Sequence, residues 1–120
     1  MKIVEMLELR EGLKAVAAKE LPVKVAYDLS KQLEKVEVEW KRYEELRKKL
    51  FEKYGKQKGD RIEVPSENQE KFAEEMNELL LIETDLKIEP VLSLEDLEDI
   101  KVSAQDLIRI KKLLKEEEEA

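Results

Sequence analysis

Cysteine and histidine are both absent from these 120 residues. Without cysteine there are no disulfides, thiolate zinc sites or thiol nucleophiles, which fits a reducing compartment. Without histidine the commonest general base and metal ligand is missing, and with it most hydrolase and metalloenzyme chemistry. Glycine is nearly as scarce. Gly12, Gly55 and Gly59 are the only three, so there is no glycine-rich phosphate loop and nucleotide hydrolysis of the P-loop kind is excluded. No apolar run approaches the roughly 20 residues needed to span a bilayer. The opening "MKIVEMLELREGLKAVAAKE" carries charges every few residues, unlike a signal peptide. A soluble, cytoplasmic protein without membrane association is expected.

What is abundant is charge: 44% of residues are Asp, Glu, Lys or Arg, with a net charge of −7. A Glu/Lys-rich surface over a Leu/Ile/Val core reads as one mainly α domain, long enough to bury about two-thirds of its unfolded surface. Ile3, Met6, Leu7, Leu13, Val16 and Ala17 share a face of a helix over 3–19, in which Gly12 is an interior blemish. Pro22 suits the first position of a second helix over 22–54. Along it Ala26, Leu29, Leu33, Val36, Trp40, Tyr43, Arg47, Leu50 and Tyr54 follow alternating three-four spacing, a heptad seam. A helix of that length spans about 50 Å. The first helix covers only half of it, so a hairpin with an exposed distal seam is expected, and with it a homo-oligomer, dimer or higher.

Gly55 reads as the helix's C-cap and "GKQKGD" as a loop. Residues 61–64 and 84–89 alternate like strands and are expected to pair as a small two-stranded β element. Ser66 with Gln69 forms a capping-box signature for a helix over 67–81. In the tail "SLEDLEDI" and "SAQDLIRI" share the form S-x-x-D-L-x-x-I. They predict a short helix over 94–99 and a helix over 104–115, with "KEEEEA" fraying. Helices three and four are expected to cover the distal half of the long helix. Glu95, Asp96, Glu98 and Asp99 would repel phosphates, so these tandem helices are not expected to read DNA directly.

Candidate chemistry is sparse. Ser66, Ser93 and Ser103 are explained as helix caps, and Ser30 lies in mid-helix with no base available. Glu63, Asp85 and Lys87 on the two expected strands resemble, remotely, the acidic and lysine residues of metal-dependent nucleases; a solvated strand face is the stronger account. Glu74 and Glu78 lack the histidine that carboxylate metal sites combine with such a pair. No catalytic residue, metal or cofactor is assigned.

The region that calls for an explanation is "WKRYEELRKKLFEKYGKQKGDR", residues 40–61, which holds nine cations, four anions and four of the six aromatics. Glu37/Lys41, Glu44/Lys48, Glu45/Lys49 and Glu52/Lys56 are i, i+4 pairs in the favourable orientation. Arg42, Arg47, Lys53, Lys58 and Arg61 are left without a local partner; with Tyr43 and Tyr54 they are the candidate ligand- or partner-binding residues. Arg47 sits on the seam, where an unpaired guanidinium is costly. It snorkels to solvent, pairs with a carboxylate of residues 62–120 or a second subunit, or receives an anionic ligand between aromatic walls.

The segments "KELPVKVAYDLSKQLEKVEVEWKRYEELRKKLFEKYG", "PSENQEKFAEEMNELL" and "LSLEDLEDIKVSAQDLIRI" together resemble a group of small uncharacterised proteins of tailed phages and prophages. The resemblance implies phage origin and expression in the cytoplasm of a bacterial host, and transfers no catalytic residue. The function expected is that of a non-enzymatic accessory protein acting by stoichiometric binding. It would inhibit a host defence or host enzyme, either by binding a protein or by sequestering a nucleotide signal. Its surface would be the acidic face from Glu67 to Asp99 in the first case and the basic end of the long helix in the second. The alternative is a structural or chaperone role in virion assembly; a metal-dependent nuclease comes last.

Overall fold

Four α-helices, a β-hairpin and two short 3-10 turns make up the computed structural model, which describes residues 1–116. The expected fraying at the C-terminus falls largely beyond them. Helix α1 (Ile3–Ala17) begins where the Lys2 amide N–H donates to the Glu5 carboxylate, 3.1 Å away, and ends two residues short of expectation. Helix α2 (Val23–Tyr54) starts one residue late, with Pro22 in the cap position rather than inside the first turn. The fold class is the expected one: a long helical hairpin, further helices and a two-stranded antiparallel sheet. The molecule is elongated, 58 × 29 × 23 Å, because α2 alone runs about 48 Å.

One strand of the sheet is where it was expected, at 61–63, but its partner is not residues 84–89. Strands β1 (Lys56–Lys58) and β2 (Arg61–Glu63) form a hairpin, with Lys56 opposite Glu63 and Lys58 opposite Arg61. The "GKQKGD" loop is therefore half strand. Its two-residue turn works because Gly59 takes a positive φ of 62° while Asp60 does not, the pattern of a type II′ turn. Gly55 caps α2 in an extended conformation, φ −89°, not the left-handed one its residue type suggests. What excludes a side chain there is crowding: a Cβ would run into the Ile62 side chain and the Phe51 carbonyl oxygen.

Residues 84–89 form no regular element and join no sheet. Alternation reported correctly that Leu86 and Ile88 turn toward the core; it carried no information about which backbone they pair with. The Thr84 amide donates to the Met1 carbonyl at 2.9 Å, and the Glu89 amide donates to the Gln32 side-chain oxygen at 3.1 Å. Gln32, only 1% exposed, is thus a core residue of α2 with its buried oxygen satisfied.

Helix α3 (Ser66–Leu80) is capped by Pro65, so Ser66 lies inside the helix and the Ser66/Gln69 box does not form. Gln69 instead donates to the Val64 carbonyl at 3.3 Å. The two tail motifs do cap, with different results. Ser93 and Asp96 exchange reciprocal bonds of 2.9 and 3.2 Å, but the helix expected over 94–99 is only a 3-10 turn, Glu95–Leu97. Ser103 accepts from the Asp106 amide at 3.0 Å and starts helix α4 (Ala104–Arg109). This helix stops six residues early. Past Ile110 the chain tightens into a 3-10 turn, Lys111–Leu113, which lets Leu114 form a parallel bridge with Leu92.

The core gathers around α1: Met6, Leu13 and Val16 meet Leu29 and Val36 of α2, together with Leu92, Ile110 and Leu113. Each such side chain contributes about 1.5–3 kcal/mol by leaving water. Helix α4 packs on α1, not on the distal half of α2 as expected; α3 packs along that half without closing it over. Gly12 is what allows the α1–α4 contact, since it is buried and its backbone lies against Arg109 and Ile110. The seam of α2 is correspondingly uneven. Ala26 at its start is exposed, Leu29, Val36 and Tyr43 are buried, and beyond Tyr43 no residue of α2 is fully buried. Among the described residues no helix is long and apolar enough to cross a membrane.

Candidate binding site

The end of α2 projects past α1, and all seven candidate residues lie on it or on the hairpin after it. Their cations are not free. Arg42 pairs with Glu39 at 3.1 Å, Arg47 with Glu44 at 3.7 Å, and Lys53 with Glu75 of α3 at 3.1 Å. Lys58 and Arg61 share Glu63, at 3.2 and 3.5 Å. The expectation that these cations lack local partners is therefore corrected for Arg42, Arg47, Lys58 and Arg61, whereas the partner of Lys53 is distant in sequence. The reason is geometric: i, i+3 neighbours on the helix, a cross-strand neighbour in the hairpin and a facing helix were all within reach.

The four expected Glu/Lys pairs at i, i+4 do not close as ion pairs among the described residues. Glu37 is taken by Arg10 and Glu44 by Arg47, and Lys56 has left the helix for β1. Glu45 and Lys49 stay solvated, as exposed pairs commonly do.

The seven residues fall into separate groups. Arg47 is half exposed, and its guanidinium lies 4.9 Å from the Phe51 ring centre. It lines an open hollow of about 590 Å³ with Lys48, Phe51, Ile62 and the carboxylates of Glu44, Glu45 and Asp60. Two cations against three anions make this a poor anion receptor. On the α3 side, Phe72 packs against Phe51 and Tyr54, with ring centres 4.9 and 6.4 Å apart. Asn68 donates to the Tyr54 carbonyl at 3.0 Å and seals the junction. Tyr43 is buried, and burial pushes its hydroxyl above the ordinary tyrosine value, with Arg47 partly opposing. It is a core residue rather than a surface contact.

Glu75 is held below the usual carboxylate range, first by the Tyr54 hydroxyl and then by Lys53. Glu5 is held down likewise, first by Lys112 and then by the Lys2 amide. A carboxylate depressed in the folded state contributes stability above its unfolded pKa and loses it as pH falls through its folded value. The midpoint of urea unfolding should therefore stay level down to the ordinary carboxylate range and fall below it. Glu75→Gln combined with Glu5→Gln should make that fall shallower. An unchanged slope in the double variant would remove these two contacts from the acid response.

The nuclease-like residues are not assembled. Glu63 is engaged at the hairpin, whereas Asp85 and Lys87 lie beside Lys35, Val38 and Glu39 of α2. No group of three or more acidic residues suited to a metal occurs among the described residues. One residue of consequence, Arg10, was not singled out by its sequence context. Its side chain, 13% exposed, donates to Glu37 at 2.7 Å and stacks 3.8 Å from the Trp40 ring centre. The available signal was its position: with Met6 and Leu13 it continues the apolar row of α1.

Outside this junction, α3 carries Glu67, Glu70 and Glu74 at three- and four-residue spacing on one solvent face. All are exposed and none is ion-paired within the described residues. Fold and site together describe an elongated helical protein with an internally neutralised tip and an acidic flank. No family model, curated protein or solved structure matches the chain.

Proposed function

We propose that this is a non-enzymatic phage accessory protein, acting in the cytoplasm of a bacterial host by stoichiometric binding to a host protein with a basic surface. The observation that carries this reading is the unpaired row Glu67, Glu70 and Glu74, set against a basic tip whose five candidate cations are already paired within the chain. A row of free carboxylates on a rigid helix is a fitting counterpart for lysines and arginines that otherwise meet nucleic acid or another acidic surface. The same pairing counts against sequestration of a nucleotide at Arg47, because an incoming phosphate would have to displace Glu44. The phage assignment rests on the resemblance of residues 19–55, 65–80 and 92–110.

The test is paired capture from host lysate with the wild-type chain and with Glu67→Lys/Glu70→Lys/Glu74→Lys. A partner held stoichiometrically by the wild type, released by moderate salt and lost with the triple variant is expected; affinity should fall at least about tenfold. A partner retained equally by both proteins would move the interaction off this face. The second reading, a structural or chaperone role in virion assembly, is favoured by one observation, an exposed apolar groove between α2 and α3.

A further inference from the structure

The apolar groove between α2 and α3 runs along the distal half of α2, where α1 no longer reaches. Leu50 and the buried Leu79 form its floor, Leu46 and Ile82 stand exposed at 43% and 47%, and its volume is about 370 Å³. Its rims are of opposite charge. Lys49 stands on the α2 rim and Glu78 on the α3 rim; both are exposed, and neither has an ion-pair partner among the described residues. Glu75, deeper on the α3 rim, is already engaged by Lys53. On an ideal helix the centre of the Glu67, Glu70 and Glu74 row lies about a quarter turn round α3 from the centre of the groove. None of the three lines the groove; Glu74 stands one turn from Glu78, so Glu67→Lys/Glu70→Lys without the third change tests the acidic row apart from the groove.

We propose that the occupant of this groove is a second copy of the chain, joined by a twofold axis that runs along the groove. A surface with an apolar floor, one free cation on its left rim and one free anion on its right is complementary to itself. The direction of the axis is set by the charges. An axis along the groove lays α2 of one copy over α3 of the other, so Lys49 meets the Glu78 carboxylate of its mate, twice. An axis across the groove would lay α2 on α2 and bring the two lysines together, which like-charge repulsion disfavours. The favoured arrangement makes a four-helix bundle from two α2–α3 pairs and buries Leu46 and Ile82 in its centre. It also supplies the cover that the distal seam of α2 lacks within one chain.

The experiment is sedimentation velocity on the full chain over a concentration series, with circular dichroism as the check on folding. The wild type should sediment at twice the chain mass of 14.1 kDa. Lys49→Glu alone and Glu78→Lys alone each place like charges across the interface and should weaken the dimer at least about tenfold. The exchange Lys49→Glu/Glu78→Lys should restore it, a result no general loss of stability would produce. Leu46→Asp should give a folded monomer. A wild type that remains monomeric at the highest soluble concentration overturns the proposal and leaves the groove to a partner of another sequence. A dimer indifferent to Leu46→Asp places the contact elsewhere, and failure of the charge exchange to restore association overturns the axis.

Discussion

Arg10→Ala should lower the free energy of unfolding by about 2–4 kcal/mol, an effect out of proportion to one arginine on a surface so rich in charge. A charge-assisted hydrogen bond is worth about 1.5–3 kcal/mol, and a desolvated cation–π contact adds about 1 kcal/mol. Arg10 makes both at once: its guanidinium bonds Glu37 at 2.7 Å while stacking on Trp40. Deletion also leaves Glu37, 31% exposed, without its counter-charge, and uncovers the indole. Two further variants separate the contributions. Arg10→Met keeps most of the packing and removes the charge. Arg10→Lys keeps the charge but loses the planar group that bonds and stacks together, and should recover less than half of the loss. Chemical denaturation monitored by Trp40 fluorescence reads all three, and a loss for Arg10→Ala within about 0.5 kcal/mol, the range of ordinary surface substitutions, would refute the account.

Gly12→Ala should destabilise the protein by about 1–3 kcal/mol, although the same exchange in an unencumbered helix gains about 1 kcal/mol. The sign reverses because of what lies opposite. A Cβ on Gly12 would stand 2.6 Å from the Arg109 Cβ, 2.9 Å from the Ile110 Cγ2 and 3.1 Å from the Asp106 carbonyl oxygen. Two of these three atoms belong to Cβ or backbone positions, which cannot swing aside, so α4 would have to move as a unit. Ile110, fully buried, would be lifted from the core with it. In a domain of this size each kcal/mol lowers the midpoint by about 4 °C. Hydrogen exchange should accelerate first in residues 104–113, and Gly12→Leu should exaggerate the effect. A Gly12→Ala protein more stable than the wild type would mean that helix propensity outweighs the α1–α4 contact.

Arg10 and Gly12 illustrate how far the chain could be read in advance. Both lie in α1, whose periodicity was plain, and in both the decisive partner is distant in sequence: Glu37 and Trp40 for one, Arg109 and Ile110 for the other. Arg47 shows the converse. It stood out as a charge on a seam, yet the seam is uncovered at that point and the arginine meets only Glu44, the Phe51 ring and the edge of solvent. The rule that an arginine among apolar positions needs a partner was sound; it applied with more force to Arg10, where the helix is covered. The hairpin was half legible. Residues 61–63 alternate, whereas Lys-Gln-Lys at 56–58 is all polar and exposed, so its pairing is imposed by the Gly59–Asp60 turn rather than by any apolar pattern.

The class of the protein and the extent of its main helices were written locally in the chain. Apolar spacing, proline and serine act within a few residues of where they stand, and the absence of cysteine and histidine closes whole classes of chemistry without reference to any fold. Some charges are spent on local neighbours, as Arg42 on Glu39 and Arg47 on Glu44, but which of the others are spent and which are free was settled only in three dimensions. A carboxylate is neutralised by whatever cation the fold brings within about 4 Å, and that depends on contacts between residues such as Lys53 and Glu75 or Glu5 and Lys112, which no local pattern relates.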